Sequence, residues 1–161
     1  MKYEPLLHVV LYQPEIPPNT GNIGRSCVAV GAKLWLIKPL GFRIDEKELR
    51  RAGLDYWPHL DWEAVEDWAG LAAKLAGPLA AGRAWFFTKT APRLYTDASF
   101  QKGDLLVFGN ESGGLPPELL ATHRERTLRL PMRKQVRSLN LSATAAAAMY
   151  EAVRQLGVVP E

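Results

Sequence analysis

The sequence predicts an α/β domain, a parallel sheet flanked by helices, from three observations. Five short, mostly apolar runs recur along the chain, each bounded by glycine, proline or charge. Stretches with helical spacing lie between them, so strand and helix signals alternate. The chain of 161 residues is long enough to bury one core of that kind.

The runs at residues 7–12 (LHVVLY), 34–38 (LWLIK), 84–88 (AWFFT), 105–108 (LLVF) and 127–130 (TLRL) read as strands. Their apolar character is continuous rather than alternating, as expected of strands covered on both faces. A helix over 20–30 follows the first strand. Further helices are expected over 45–51, 62–75 and 117–122, the third of these opened by Pro116 and Pro117. The final helix, 139–156, is the most strongly patterned. Leu141, Ala145, Met149, Ala152 and Leu156 recur at steps of four, four, three and four and share one face. Its ATAAAAM run supplies small side chains that let another helix approach closely. No internal repeat, low-complexity linker or long charge block divides the chain, and one domain over 1–161 is expected.

Composition narrows the classes. Twenty Lys and Arg against seventeen Asp and Glu give a net charge of +3, and the isoelectric point of about 9.1 permits an anionic partner. Cys27 is the single cysteine, which excludes an internal disulfide framework and fits a reduced, cytoplasmic setting. Glu4 and Pro5 precede a short apolar run that breaks at Gln13, a poor signal peptide. No apolar run approaches the ~18 residues of a membrane span. His8, His59 and His123 have no partners at ligand spacing, so no metal is expected. Cys27 and the five tryptophans, of which Trp57, Trp62 and Trp68 are expected to cluster, read first as packing residues, the tryptophans as core or dimer contacts.

Three stretches carry chemistry. EIPPNTGNIGR, residues 15–25, sits where the first strand hands over to the first helix, the edge at which open α/β sheets bind ligands. Pro17 and Pro18 stiffen it, Asn19 is placed to accept from the first-turn N–H groups, and Gly21 and Gly24 allow close approach. It is neither a P-loop nor Gly-x-Gly-x-x-Gly, and an ordinary capped turn explains it equally well. LLVFGNESGGLPPELL, residues 105–120, again ends a strand in a glycine-rich loop, where Glu111 either binds a polar ligand or caps the helix begun by Pro116 and Pro117. LRLPMRKQVRSLNLS, residues 128–142, runs from a strand through a basic loop into the last helix, with Ser138 and Asn140 where caps belong. Around it Arg124, Arg126, Arg129, Arg133, Lys134 and Arg137 face only Glu125, which suits either a solvated surface or phosphate contact.

Taken together, Asn19-Thr-Gly-Asn-Ile-Gly-Arg25, Phe108-Gly-Asn-Glu-Ser-Gly-Gly-Leu115 and Leu130-Pro-Met through Arg137-Ser-Leu-Asn-Leu-Ser142 resemble the three motifs of the SPOUT class of RNA methyltransferases. The likeness is greatest to its small wobble-position branch, the tRNA (cytidine/uridine) 2′-O-methyltransferases of the TrmL type. The stretches PLGF (39–42), LRRAGLDYW (49–57) and YEAVRQLG (150–157) resemble that branch too. The resemblance implies a C-terminal trefoil knot, a homodimer with the last helix in its interface, and S-adenosylmethionine as cofactor. Carried over by position, the cofactor would be held around Phe87, Gly109, Leu130 and Ser138, with glycine at 109 keeping a side chain out of its way. Arg25 is the residue assigned to activate the 2′-hydroxyl of a tRNA ribose, and Asn19, Glu111 and Asn140 form its polar shell. A guanidinium stays protonated, so Arg25 suits lowering the hydroxyl's pKa and holding the adjacent phosphate better than it suits a base. The RNA would be gripped by the catalytic dimer without a separate RNA-binding domain, through the Arg124 to Arg137 stretch and Tyr150. Tyr150 is equally a residue of the dimer seam.

One departure bears on the target. The wobble branch often reads Gly-Pro-Glu-Thr in the second motif, whereas this chain reads Gly109-Asn-Glu-Ser112, closer to relatives that methylate other tRNA or ribosomal RNA riboses. Two other classes are a noncatalytic RNA-binding assembly factor and a nucleotide-binding oxidoreductase. Loss of Arg25 would mark the first and a dinucleotide fingerprint the second; the sequence has neither mark.

Overall fold

The computed structural model describes residues 3–43 and 55–161. The helix expected over 45–51 lies outside the described residues, as does most of LRRAGLDYW. Strand β1 (His8–Tyr12) leads into helix α1 (Pro17–Val30), β2 (Lys33–Ile37), a 3-10 turn (Trp57–His59) and β3 (Trp62–Val65). Helices α2 (Trp68–Lys74) and α3 (Ala76–Ala80) then precede β4 (Ala84–Phe87) and β5 (Leu105–Phe108). Helix α4 (Pro117–Thr122), the short β6 (Thr127–Leu128) and α5 (Leu141–Leu156) complete the chain.

Among the described residues, six strands form one sheet in the order β3-β2-β1-β5-β4-β6, and every pairing is parallel. Successive side chains on a strand point to opposite faces, so the apolar runs feed two cores. On one face Val9, Leu11, Leu34, Leu36, Leu106 and Phe108 meet Ile23 and Cys27 of α1 and Ala145, Ala148 and Met149 of α5. On the other, Val10, Trp35, Ile37, Phe86 and Val107 meet Leu71 of α2 and Leu119 and Leu120 of α4. The result is three layers, helix on sheet on helix.

Two expectations change. Residues 62–75 are not one helix. Trp62 to Val65 pair with the fully buried β2, and that pairing outweighs the helix preference of Glu63 and Ala64. The helix starts only at Trp68, where the Asp67 side chain accepts from the Gly70 N–H at 2.8 Å as an N-cap. The three tryptophans are not one cluster either. Trp57 and Trp62 pack together on the α1 side, ring centroids 5.5 Å apart, while Trp68 contacts Phe86 on the opposite face.

The small face of the last helix is also spoken for. Ala145 and Ala148 are fully buried in the core shared with α1 of the same chain, so they are not free to receive a second copy. Cys27 is buried in that core and burial raises its thiol pKa, consistent with packing. Half-buried His8 accepts a hydrogen bond at Nδ1 from the Trp35 Nε1–H at 3.0 Å.

Candidate functional site

The chain runs from β1 outward through β2 and β3, then returns to build β5, β4 and β6 on the other side of β1. The switch point therefore falls between β1 and β5, where the two exit loops diverge and leave a crevice at the C-terminal edge. Both chemistry-bearing loops are there: 13–16 after β1 and 109–114 after β5.

A reciprocal pair of carboxylates joins them. Glu111 accepts from the Glu15 N–H at 3.1 Å and from the Ile16 N–H at 2.6 Å. In return Glu15 Oε1 accepts from the Ser112 N–H at 3.3 Å and from the Ser112 hydroxyl. Ile16 is the N-cap of α1 and offers no capping side chain, so Glu111 supplies a negative charge to that helix terminus from another loop. This corrects two sequence readings. Asn19 lies inside the first turn, behind Pro17 and Pro18, and does not cap α1. Glu111 does not cap the helix begun by Pro117, which has Pro116 at its N-cap and no side-chain cap.

Asn19 instead bridges elements. It is buried, its Oδ1 accepts from Asn140 Nδ2 at 3.1 Å, and its Nδ2 reaches Glu111 Oε2 at 3.5 Å. Asn140 is also the N-cap of α5, accepting from the Ser142 and Ala143 N–H groups at 2.9 and 3.2 Å. One asparagine thus ends the third motif and ties it to the first. Through Asn140, Asn19 and Glu111 all three motifs share one polar network.

Beside this network lies a cavity of about 550 Å³ over the ends of β4, β5 and β6. Its walls include Phe87, Gly109, Leu130 and Ser138, the four residues singled out by position in the sequence, with Thr88, Met132 and Leu139 among the rest. Phe87 and Phe108 stack at its base with centroids 4.6 Å apart. The need for glycine at 109 comes from the loop itself. A Cβ there would stand 2.1 Å from the Gly114 carbonyl carbon and 2.3 Å from the Leu115 nitrogen, so the turned-back backbone, rather than a ligand, excludes a side chain.

Arg25 stands apart. Six residues along α1 from Asn19, it lies about 240° around the helix, exposed, and outside the cavity's lining. Among the described residues it makes no hydrogen bond or ion pair; its guanidinium rests 4.7 Å from the centre of the Tyr56 ring. The basic loop is largely uncommitted as well. Arg124, Arg129, Arg133, Lys134 and Arg137 form no ion pair among the described residues, whereas Arg126 lies over Trp85 at 5.0 Å. Sequence reasoning missed the Glu15–Ser112 pair and gave Tyr56 no role, since neither residue carries a local signal for what it touches.

Residues 6–150 match the SpoU rRNA methylase family. The chain belongs to the SpoU rRNA methylase family. Known members lie close to it in sequence and in shape. A tRNA (cytidine(34)-2′-O)-methyltransferase of Methylovorus glucosotrophus is 46% identical over 151 residues, covering 93% of this chain and 96% of its own. A solved structure concerned with 2-OH methylation of C/U34 on tRNA superposes with a TM-score of 0.88 at 45% identity, covering 96% and 99% of the two chains. The SpoU methyltransferase AviRb of Streptomyces viridochromogenes, in complex with the cofactor AdoMet, superposes with a TM-score of 0.81 at 28% identity, covering 98% of this chain and 60% of that one.

Proposed function

We propose that this SpoU-family chain transfers a methyl group from S-adenosylmethionine to the 2′-hydroxyl of the wobble cytidine or uridine of tRNA. The observation that carries the reading is the convergence of three strand-end loops, tied by Asn140, Asn19 and Glu111, around one cavity at the sheet's switch point. The activity of a relative 46% identical over nearly the whole chain supports the choice of substrate.

The cavity suits the cofactor. Its base is aromatic, its rim offers the Thr88 and Ser138 hydroxyls and loop backbone, and a Cβ on Gly109 would collapse the loop that forms one wall. Phe87, Gly109, Leu130 and Ser138 would hold it. S-adenosylmethionine, when bound, supplies a methyl group on a good leaving group. The protein's remaining work is to aim the ribose and favour loss of its proton. Arg25 does this from the RNA side, holding the phosphate beside the target ribose and lowering the hydroxyl's pKa. Asn19, Glu111 and Asn140 fix the first turn of α1, the helix from which Arg25 projects about two turns further on. The uncommitted Arg124, Arg129, Arg133, Lys134 and Arg137 contact further phosphates.

The same reading includes a trefoil knot and a homodimer. After β6, at the sheet edge, residues 129–140 return past the β4 loop, where Lys89 Nζ reaches the Arg137 carbonyl at 3.4 Å, and α5 then packs on α1. A passage of that kind is where the family resemblance puts the knot. Dimerisation through α5 uses the face opposite Ala145 and Ala148. Ala143, Ala147, Tyr150 and Arg154 line that face, and Tyr150 is 51% exposed.

The test is transfer of labelled methyl to unfractionated tRNA and, separately, to ribosomal RNA, with mapping of the 2′-O-methylated nucleotide. Label at the first anticodon nucleotide is expected. Label on ribosomal RNA, which the family's description and the Gly109-Asn-Glu-Ser112 motif both favour as a second target, replaces the substrate and keeps the chemistry. Absence of label with the cofactor still bound overturns the catalytic reading. Arg25→Ala should abolish turnover and leave cofactor binding intact; near-normal turnover removes Arg25 from the mechanism.

A further inference from the structure

Arg25 raises a physical difficulty. A cation that is to meet RNA must be held still, yet the usual anchor, a carboxylate, would occupy its donors and cancel its charge. The structure shows another kind of support. The Arg25 guanidinium lies 4.7 Å from the centroid of the Tyr56 ring and has no other partner among the described residues. An aromatic face attracts a cation through the ring quadrupole and leaves the edge N–H groups untouched.

The ring itself is firmly placed. Tyr56 is 8% exposed, and its hydroxyl donates to the Gly21 carbonyl one turn before Arg25 on the same helix. Burial pushes the phenol up to about 12, against the pull of Arg25, so the hydroxyl remains a donor. The turn that follows presses on the helix as well. A Cβ on Gly24 would come within 3.2 Å of both Leu60 Cδ2 and Trp57 Cζ3, so glycine at 24 lets residues 57–60 seat against α1. Tyr56 is therefore the end of a wall, buried on one side and facing the guanidinium on the other.

We infer that Tyr56 is a positioning residue for Arg25, a ring that fixes the guanidinium by its face and leaves its whole donor fork for the RNA phosphate and ribose. The inference rests on the role proposed for Arg25 above. It also gives the second glycine of NTGNIGR a reason, since Gly24 admits the turn that follows Tyr56.

The experiment measures methyl transfer to tRNA by the full chain and by Tyr56→Phe, Tyr56→Leu, Arg25→Ala and the Tyr56→Leu/Arg25→Ala double variant. Tyr56→Leu should lower kcat about tenfold, the order expected of one partly desolvated cation–ring contact, with KM for S-adenosylmethionine unchanged. Tyr56→Phe keeps the face and loses the bond to Gly21, and it should recover most of that rate. The double variant should be no slower than Arg25→Ala. Equal losses in Phe and Leu, or effects of Tyr56→Leu and Arg25→Ala that multiply, overturn the inference and make Tyr56 a scaffold residue. Slow Arg25→Ala with normal Tyr56→Leu overturns this inference alone; normal Arg25→Ala overturns the Arg25 reading and this one with it. A second measurement does not depend on turnover. The Arg25 Nε–H resonance should carry a ring-current shift that persists in Tyr56→Phe and disappears in Tyr56→Leu, and a resonance identical in all three would refute the contact.

Discussion

Substituting Glu111 by glutamine isolates the link between the first and second motifs, because it keeps the side chain's shape and removes its charge. The wild-type carboxylate accepts two backbone N–H groups, from Glu15 at 3.1 Å and Ile16 at 2.6 Å. Glutamine has one acceptor oxygen, so one of those N–H groups must face an NH₂. A charge-assisted bond of this kind contributes ~1.5–3 kcal/mol, and loss of a negative charge from a helix N-terminus costs a further ~0.3–1 kcal/mol. Glu111 is only half-buried, which favours the low end of both ranges, for a total of about 2 kcal/mol. In a chain of this size that lowers Tm by ~4–8 °C. Thermal unfolding gives the total, and hydrogen exchange at the Glu15 and Ile16 amides gives its location. A Tm within ~1 °C of wild type, with those amides exchanging as slowly as before, would refute the claim that Glu111 caps α1.

Three further outcomes follow from the same geometry. Gly109→Ala should lose cofactor binding and several degrees of Tm together, because its Cβ meets backbone at 2.1 Å; calorimetric titration with S-adenosylmethionine at wild-type affinity would contradict it. Asp104 is 1% exposed and accepts from Arg83, the Trp85 indole and the Gln101 N–H, so Asp104→Ala should cost about 3 kcal/mol in urea unfolding by stranding Arg83; a loss under ~1 kcal/mol would show the site relaxing around the gap. Burial and the Lys33 charge lower His8 from 6.5 to about 4, so the unfolded chain binds the proton more readily between those values. Stability should therefore fall by about 2 kcal/mol as pH drops through that window, after allowance for solvent, and His8→Gln should lack that component; identical slopes in the two proteins would assign it elsewhere.

Much of the fold was legible because burial on both faces writes itself into sequence. LLVF at 105–108 coincides with β5, and the four-four-three-four spacing of α5 marks the face that meets the core. The edge strand β3 was not legible. WEAV carries no apolar run, and only its pairing with β2 makes it a strand; the cap at Asp67 was the readable sign that the helix began later. At the site, sequence brought the right loops together and read the cap at Asn140, but it misplaced the caps offered by Asn19 and Glu111. Asn19 and Glu111 have local explanations as caps of nearby helices, and both act instead across more than 90 positions. Tyr56 looks like any buried aromatic until the helix it touches is placed beside it.

The cap supplied by Glu111 has a consequence for the order in which the chain can assemble. During synthesis α1 emerges early, with two prolines in its first turn and no acceptor of its own at Ile16. The residue that completes it lies 95 positions later, beyond β5. Until that strand docks against β1, the start of the helix has only water for a partner, and the platform carrying Arg25 frays from its N-terminal end. A nascent chain is thus unable to complete the start of α1 before the loop that walls the cavity exists, so the helix and the cavity wall mature in one step.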